Sequence, residues 1–427
     1  MSLSLTRHWS IWMSIAQIKQ MVSWRPGQLA RNTAHASGWN ILRIALQASS
    51  LILMARILGA EGYGKLAGTV ALYVTFAQFA GLGSGIALVR HLARAGELHA
   101  RMSATQRTYL ATGMALFVLI WPLSILTLGG TLSPTTLAFL ACAELVVAPM
   151  LLPLAYRHQA EENMFLSGAI LTLAPFARFL AVLYALVAQV HDVAAFAPLY
   201  LGWLTIVVSG ALCFAWPRGG DMRQRPSLIA TIREGLPYVI SGVAVTAGGE
   251  LDKTILLRSA GGALAGQYAA AYRIMQAMTL PVNSLIMAVT PRQFAASGPD
   301  HRRQRKWLFA TTILYSTIAA SFLWLLAPYA SLALGNEFQE SSKLLRFLCL
   351  VIVTNSVRQV VVMLLTTGGM QAARNVVETG AVVVSVAAML ILIPIFSIVG
   401  AITALIGADG IAILFGLYSL RKKDNTA

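Results

Sequence analysis

Apolar stretches near twenty residues long recur along the whole chain, and the polar links between them alternate strictly in positive charge. A helix needs about twenty apolar residues to cross a ~30 Å hydrocarbon layer. In lipid its backbone polar groups must be satisfied within the segment, so each stretch reads as a membrane-spanning helix. The pattern places spans near 38–58, 66–89, 108–128, 134–156, 166–188, 193–215, 236–258, 266–291, 308–332, 344–366, 375–394 and 397–420. The expected fold class is an all-α polytopic membrane protein of about twelve transmembrane helices.

The links fix an orientation. One set carries Arg90, Arg94, Arg101 and Arg107, then Arg157, then Arg218, Arg223, Arg225 and Arg233, then Arg302, Arg303, Arg305 and Lys306, then Arg374, and the tail Arg421-Lys422-Lys423. The other set (59–65, 129–133, 189–192, 259–265, 333–343 and 395–396) is short, and only Lys65, Arg258 and Lys343 belong to that side. Basic links stay in the cytoplasm, so both termini of this multi-pass chain are expected there. The net charge of +16 therefore faces anionic membrane lipids and gives no nucleic-acid signal. Only 11% of residues are charged, against roughly 25% in soluble proteins, and the mean hydropathy is +0.70. A length that would suggest about three soluble domains instead forms one membrane body.

Residues 1–37 have no apolar core followed by a small-residue cleavage site, so they do not read as a cleaved leader. Ile11, Ile15, Ile18 and Val22 recur at helical spacing between tryptophans and basic residues, the pattern of an amphipathic helix lying on the cytoplasmic interface, with a plain disordered basic tail as the alternative. Cys142, Cys213 and Cys349 sit inside apolar spans with no metal-ligand spacing, and read as packing residues. Pro122, Pro149, Pro153, Pro175, Pro281 and Pro328 fall inside spans, where proline kinks a helix. Gly81, Gly83 and Gly85 read as small residues for close helix packing; no strand precedes them and no phosphate-binding lysine follows, so they make a poor nucleotide loop.

The longest interior break, 217–235, divides the spans six and six, and a repeat agrees with it. Arg56-x-x-Gly59-x-x-x-x-Gly64 closes the first span and opens the second; Arg258-x-x-Gly261-x-x-x-x-Gly266 does the same for the seventh and eighth. Six spans per half keep both halves in one orientation, related about the membrane normal. The expected organisation is a basic N-terminal segment 1–37, a six-helix lobe 38–216, a cytoplasmic linker 217–235, a second six-helix lobe 236–420 and a basic tail 421–427.

The stretch Ala55-Arg56-Ile57-Leu58-Gly59 with Glu61-x-x-Gly64 resembles the first-hairpin signature of the polysaccharide transport family, the Wzx-type flippases of the multidrug/oligosaccharidyl-lipid/polysaccharide exporter superfamily. Leu251-Asp252-Lys253-x-x-Leu256, Gly266-x-Tyr268-Ala269-x-Ala271-Tyr272-Arg273, and Pro281 with Thr290-Pro291-Arg292 extend the likeness, and the span count carries it over nearly the whole chain. The resemblance implies two six-helix lobes in a V around a central cavity. It also implies alternating-access movement of an undecaprenyl-diphosphate-linked oligosaccharide from the cytoplasmic to the periplasmic leaflet, for surface polysaccharide biosynthesis. A polysaccharide polymerase and a chain-length regulator are candidate partners; no cofactor or metal is expected.

Ionisable residues inside the spans cost at least ~2.5–3.5 kcal/mol each at mid-span and so face the interior or a wet cavity. Seven are cationic (Arg43, Arg56, Arg178, Lys253, Arg273, Arg346 and Arg358) and five acidic (Glu144, Glu250, Asp252, Glu378 and Asp409). Arg43, Arg178, Lys253, Arg273 and Arg358 are the candidate cationic cavity, because a diphosphate leaving water needs such donors and arginine meets phosphate with two bonds. The alternative for these residues is interhelical ion pairing, such as Arg178 with Glu144. Glu144, Asp252 and Asp409 are candidates for ion coupling. Adjacent Asp252 and Lys253 are expected to point apart, and Glu250 to pair with Lys253 three residues on. Tyr73, Tyr184, Tyr268 and Tyr272 are candidates for stacking on sugars or, more ordinarily, for helix packing.

An enzyme is not expected. The longest external link, 333–343, is too short for a catalytic element, and the seven histidines form no nucleophile–base or metal pattern. Three other readings remain open: an ion-coupled drug or cation exporter of the same fold, which calls for an acidic cavity; a peptidoglycan-precursor flippase; and a membrane glycosyltransferase or polymerase.

Overall fold

Apolar sequence in the absence of water leaves the backbone one economical solution, and the chain adopts it throughout. The computed structural model describes residues 28–95, 98–217, 226–236, 239–295 and 299–426, and among these the chain is helical with no strand. The amphipathic pattern at Ile11–Val22 and the link residues Arg218, Arg223 and Arg225 lie outside the described residues.

The helices are α1 (Gln28–Ala77), α2 (Ser84–Ala95), α3 (Leu98–Leu128), α4 (Pro134–Ala141), α5 (Leu152–Ala160), α6 (Met164–Val187), α7 (Val193–Ala215), α8 (Leu228–Gly235), α9 (Val239–Ala260), α10 (Gly262–Met278), α11 (Leu280–Ala295), α12 (Pro299–Leu326), α13 (Ala330–Leu334), α14 (Gln339–Thr367) and α15 (Gln371–Thr426). Among the described residues eight helical stretches are long and apolar enough to cross a membrane. Two of these, Ala34–Leu92 and Gln371–Lys422, are 59 and 52 residues long, and each is a hairpin of two passes. The turns are single residues: Gly59 (φ 66, ψ −179) in α1 and Ser397 (φ 49, ψ −124) in α15. Two further passes, α9 and the α10–α11 pair, complete twelve. α9 falls outside the eight because it carries Glu250, Asp252, Lys253 and Arg258, and α10 and α11 because they have only 17 and 16 residues. Large side chains such as Leu126, Val187 and Phe214 lie on the outer face, as a lipid-facing surface requires.

Several expected spans are interrupted. The link 59–65 is one non-helical residue, since the helix resumes at Ala60, whose amide donates to the Glu337 carboxylate (2.9 Å) from the far half of the chain. The second pass, expected unbroken over 66–89, breaks at Ala80–Gly83, where Gly81 and Gly83 both have φ 73 and Leu82 φ 43. Gly81 and Gly83 thus serve a backbone turn, and Gly81 and Gly85 also serve close packing, against the Tyr109 and Tyr156 rings. The fourth pass widens to a π-turn over Cys142–Val147, then tightens through Pro149 into α5. A proline removes one helical donor and crowds the carbonyl four residues back, which also accounts for the break at Thr279 ahead of Pro281. Gly81→Ala meets two penalties, a positive φ and contact with the Tyr109 ring. Together these are worth about 1–3 kcal/mol, and the variant is expected to unfold at a visibly lower temperature in detergent.

The repeat appears as a symmetric contact. Gly59 and Gly261 share one backbone conformation, φ 66, ψ −179 and φ 85, ψ 172. A side-chain carbon on Gly64 would strike the Gly262 carbonyl and the Gly266 amide, and one on Gly266 would strike the Ala60 carbonyl and the Gly64 amide. Ala60 and Gly64 stand to Gly262 and Gly266 as residues 202 apart, so the two hairpins meet backbone to backbone across a pseudo-twofold. Thr254 adds a hydroxyl bond to the Gly68 carbonyl (2.7 Å). Beside this contact the Arg56 guanidinium donates to the carbonyls of Ala333 (2.9 Å) and Leu332 (3.0 Å).

At the opposite end α8 docks on the second pass. Gly235 lies flush against the Leu82 carbonyl and the Ser84 amide, and Glu234 accepts from His91 (2.7 Å) and Arg101 (3.4 Å).

Candidate substrate cavity

The sealed hairpin tips leave a hollow between the two halves, with a volume of about 1350 Å³. Ala333 and Leu334 line it beside the tips; Thr290 of α11 and Arg374 and Glu378 at the start of α15 line it further along. α1 contributes Asn40, Arg43 and Gln47, and the other charged groups come from α10, α14 and α15.

Arg43, Arg273 and Arg358, of the five candidate cations, line this cavity, and Arg178 and Lys253 do not. Arg43 is half-buried and bonded to Asn40 one turn back; among the described residues no carboxylate pairs with it. Arg273 donates to Glu250 (2.9 Å), yet its side chain keeps 43% of its surface open, into the cavity. Arg358 Nε pairs with Asp409 (2.6 Å), and Asp409 also accepts from Thr354 (3.3 Å). Arg374, which reads from sequence as a loop marker, also lines the cavity and pairs with Glu378 four residues on (3.2 Å). The lining thus holds four guanidinium groups, of which three are ion-paired (Arg273 with Glu250 behind the lining, Arg358 with Asp409, Arg374 with Glu378), and Arg43 supplies the excess.

The remaining candidates sit in two buried clusters. Arg178 donates to Glu144 in the π-turn and to the Tyr200 hydroxyl (3.0 Å), and Tyr200 donates to Glu144 (2.9 Å). A π-turn lets one extra residue into the helix and swings the carboxylate onto its neighbours. Lys253 contacts Glu250 (3.4 Å), the pair expected from spacing, and also Asp252 (3.2 Å). The expectation that adjacent Asp252 and Lys253 point apart is therefore corrected: the flexible four-carbon stem of Lys253 curls back one turn toward the Gly249 carbonyl, bringing the ammonium onto its neighbour. Asp252 accepts from the buried Tyr268 hydroxyl (2.6 Å). Tyr73 bonds Ser124 (2.7 Å) and the Leu137 carbonyl inside the helix packing.

Sequence reasoning passed over the uncharged polar lining. Asn355 and Gln359 lie on the cavity face of α14 with Arg358 and are bonded to each other (2.7 Å). Their four-residue spacing was the available signal. Among the described residues no cluster of histidine, cysteine and carboxylate groups could hold a metal.

Among the described residues, twelve helical passes in two halves enclose a polar hollow, a fold that solved membrane proteins share. Solved structures with this fold include an inward-facing multidrug resistance MATE family transporter of the MOP superfamily, with 13% identity over 91% of this chain and 99% of that one and a TM-score of 0.67. They include the lipid II flippase MurJ in an inward closed conformation (14% identity, 90% and 87% covered, TM-score 0.68). An outward-facing MATE transporter also matches (14%, 94% and 97%, TM-score 0.59). The chain belongs to the polysaccharide biosynthesis protein family, whose model matches residues 29–297. No curated protein sequence matches it.

Proposed function

We propose that the protein is a flippase for an undecaprenyl-diphosphate-linked oligosaccharide, carrying it from the cytoplasmic to the outer leaflet of the inner membrane by alternating access, with both chain termini in the cytoplasm. The observation that carries this reading is the arginine excess in the cavity lining. A diphosphate enters a membrane interior only where donors replace its water, and arginine does so with paired, charge-assisted bonds. Family membership supports a glycan cargo, and the sealed glycine contact at the hairpin tips supports a state open toward the cytoplasm. A cation exporter calls for the reverse balance of charge.

Arg43 is the most direct test because no described carboxylate depends on it. A charge-assisted hydrogen bond is worth about 1.5–3 kcal/mol, or roughly 10- to 150-fold. In proteoliposomes loaded with labelled lipid-linked glycan, Arg43→Gln is expected to slow flipping by about that factor at unchanged protein level and unfolding temperature. Undiminished flipping by Arg43→Gln, Arg273→Gln and Arg358→Gln alike would overturn the proposal. Asp409, bonded to the cavity guanidinium of Arg358, is the best-placed group for ion coupling, and imposed pH and sodium gradients test that role.

A further inference from the structure

The buried Lys253 ammonium is held in an unusual way. It lies within α9 with 1% of its side chain exposed. Around it are the Gly249 carbonyl, Asp252 Oδ1 at 3.2 Å, Glu250 Oε2 at 3.4 Å and the face of the Tyr272 ring at 4.0 Å. Backbone carbonyl, carboxylate oxygens and an aromatic face are the groups that receive a small desolvated cation. The walls are themselves fixed: Tyr268 holds the other Asp252 oxygen, and Arg273 reaches both Glu250 oxygens (2.9 and 3.0 Å). The charges in this cluster balance, with Lys253 and Arg273 against Glu250 and Asp252. Removing the ammonium leaves a net negative charge on Glu250 and Asp252, whose side chains are 11% and 0% exposed, and a buried charge is far costlier than an exposed one.

We propose that Lys253 is a tethered cation: its ammonium fills a built site for a small monovalent cation, and deleting it converts that site into one for sodium, potassium or ammonium ion. The helix supplies by covalent attachment what an exchangeable ion would otherwise provide, so a sodium gradient does no work at this position. Asp252 is then a wall of the site, with its two oxygens already committed, rather than a free coupling group. The site also touches the junction between the halves, since the Lys253 carbonyl lies against Gly68 of α1 and the next residue, Thr254, bonds the Gly68 carbonyl. Filling it therefore steadies the closed hairpin contact.

The test needs no substrate, so it stands or falls separately from the flippase reading. Unfolding temperatures of the full-length protein in detergent are compared in choline chloride, sodium chloride, potassium chloride and ammonium chloride at equal ionic strength. The wild type is expected to unfold at one temperature in all four. Lys253→Ala is expected to unfold several degrees lower in choline and to recover, with saturating dependence on concentration, in at least one of the small cations. Lys253→Met, which keeps the stem and drops the charge, provides the same comparison should the alanine variant fold poorly. Lys253→Met/Asp252→Asn restores neutrality and is expected to lose the cation response. A Lys253 variant that folds and unfolds identically in choline and in all three small cations overturns the proposal, as does a response that survives in the double variant.

Discussion

Replacing Gly64 with leucine is expected to drive the two hairpin tips apart. The new side chain has to occupy the space of the Gly262 carbonyl and the Gly266 amide, and backbone on a neighbouring helix cannot swing aside as a side chain can. Overpacking costs typically about 1–3 kcal/mol, and at the upper end that shifts a two-state balance by roughly 150-fold. Glu61 and Glu340 are well exposed on the two sides of this contact, so spin labels there report its separation. Gly64→Leu should lengthen that distance and stop glycan flipping, and Gly266→Leu should do the same from the other half. The two substitutions attack one contact, so the double variant should cost less than the sum of the singles. Gly210→Ala has open space around its new carbon and should, if anything, gain about 0.5–1 kcal/mol from helix propensity. An unchanged tip distance in a folded Gly64→Leu protein would show that the contact is incidental.

The second large effect is expected at Arg358 and Asp409. Asp409 has 11% of its side chain exposed and Arg358 25%, so Arg358→Gln strands a carboxylate that is mostly out of water. Breaking a buried pair on one side costs about 3–5 kcal/mol, and cavity water around the more exposed partner brings this to about 2–3 kcal/mol. Arg358→Gln should therefore both lower the unfolding temperature and suppress flipping. Adding Asp409→Asn removes the stranded charge and should recover most of the stability, but not the flipping, because on the proposed function the guanidinium that would meet the diphosphate is still missing. Recovery of both together in the double variant would assign Arg358 to structure alone.

Much of this architecture could be read from the chain because lipid imposes a length and an apolarity on every pass, and the twelve-pass pattern follows from those two constraints. The repeat was legible for a related reason: Gly59, Gly64, Gly261 and Gly266 are places where another backbone or a positive φ leaves no room for a side chain, so glycine there reports a geometric demand. Interruptions were less legible. Nothing in periodicity separates a continuous span from one broken at Leu82 or widened around Glu144, because both keep the same apolar composition. The charged groups were recognised as interior, since hydrocarbon excludes them, but their partition was not. Spacing along one helix links Glu250 with Lys253; it is silent on whether Tyr272 from the next helix closes over that lysine. Arg374 shows the opposite failure, since its place at the edge of a span suggested a loop while the helix carries it inward to the cavity.

The docking of α8 sets a leash. Its last residue, Gly235, is pinned to the first half at Leu82 and Ser84, and the second half begins its first pass at Val239. Four peptide steps span at most about 14 Å when fully stretched. While α8 stays docked, the foot of α9 stays within that radius of its anchor, so any motion of the halves at this end is a pivot about a short tether rather than a wide parting.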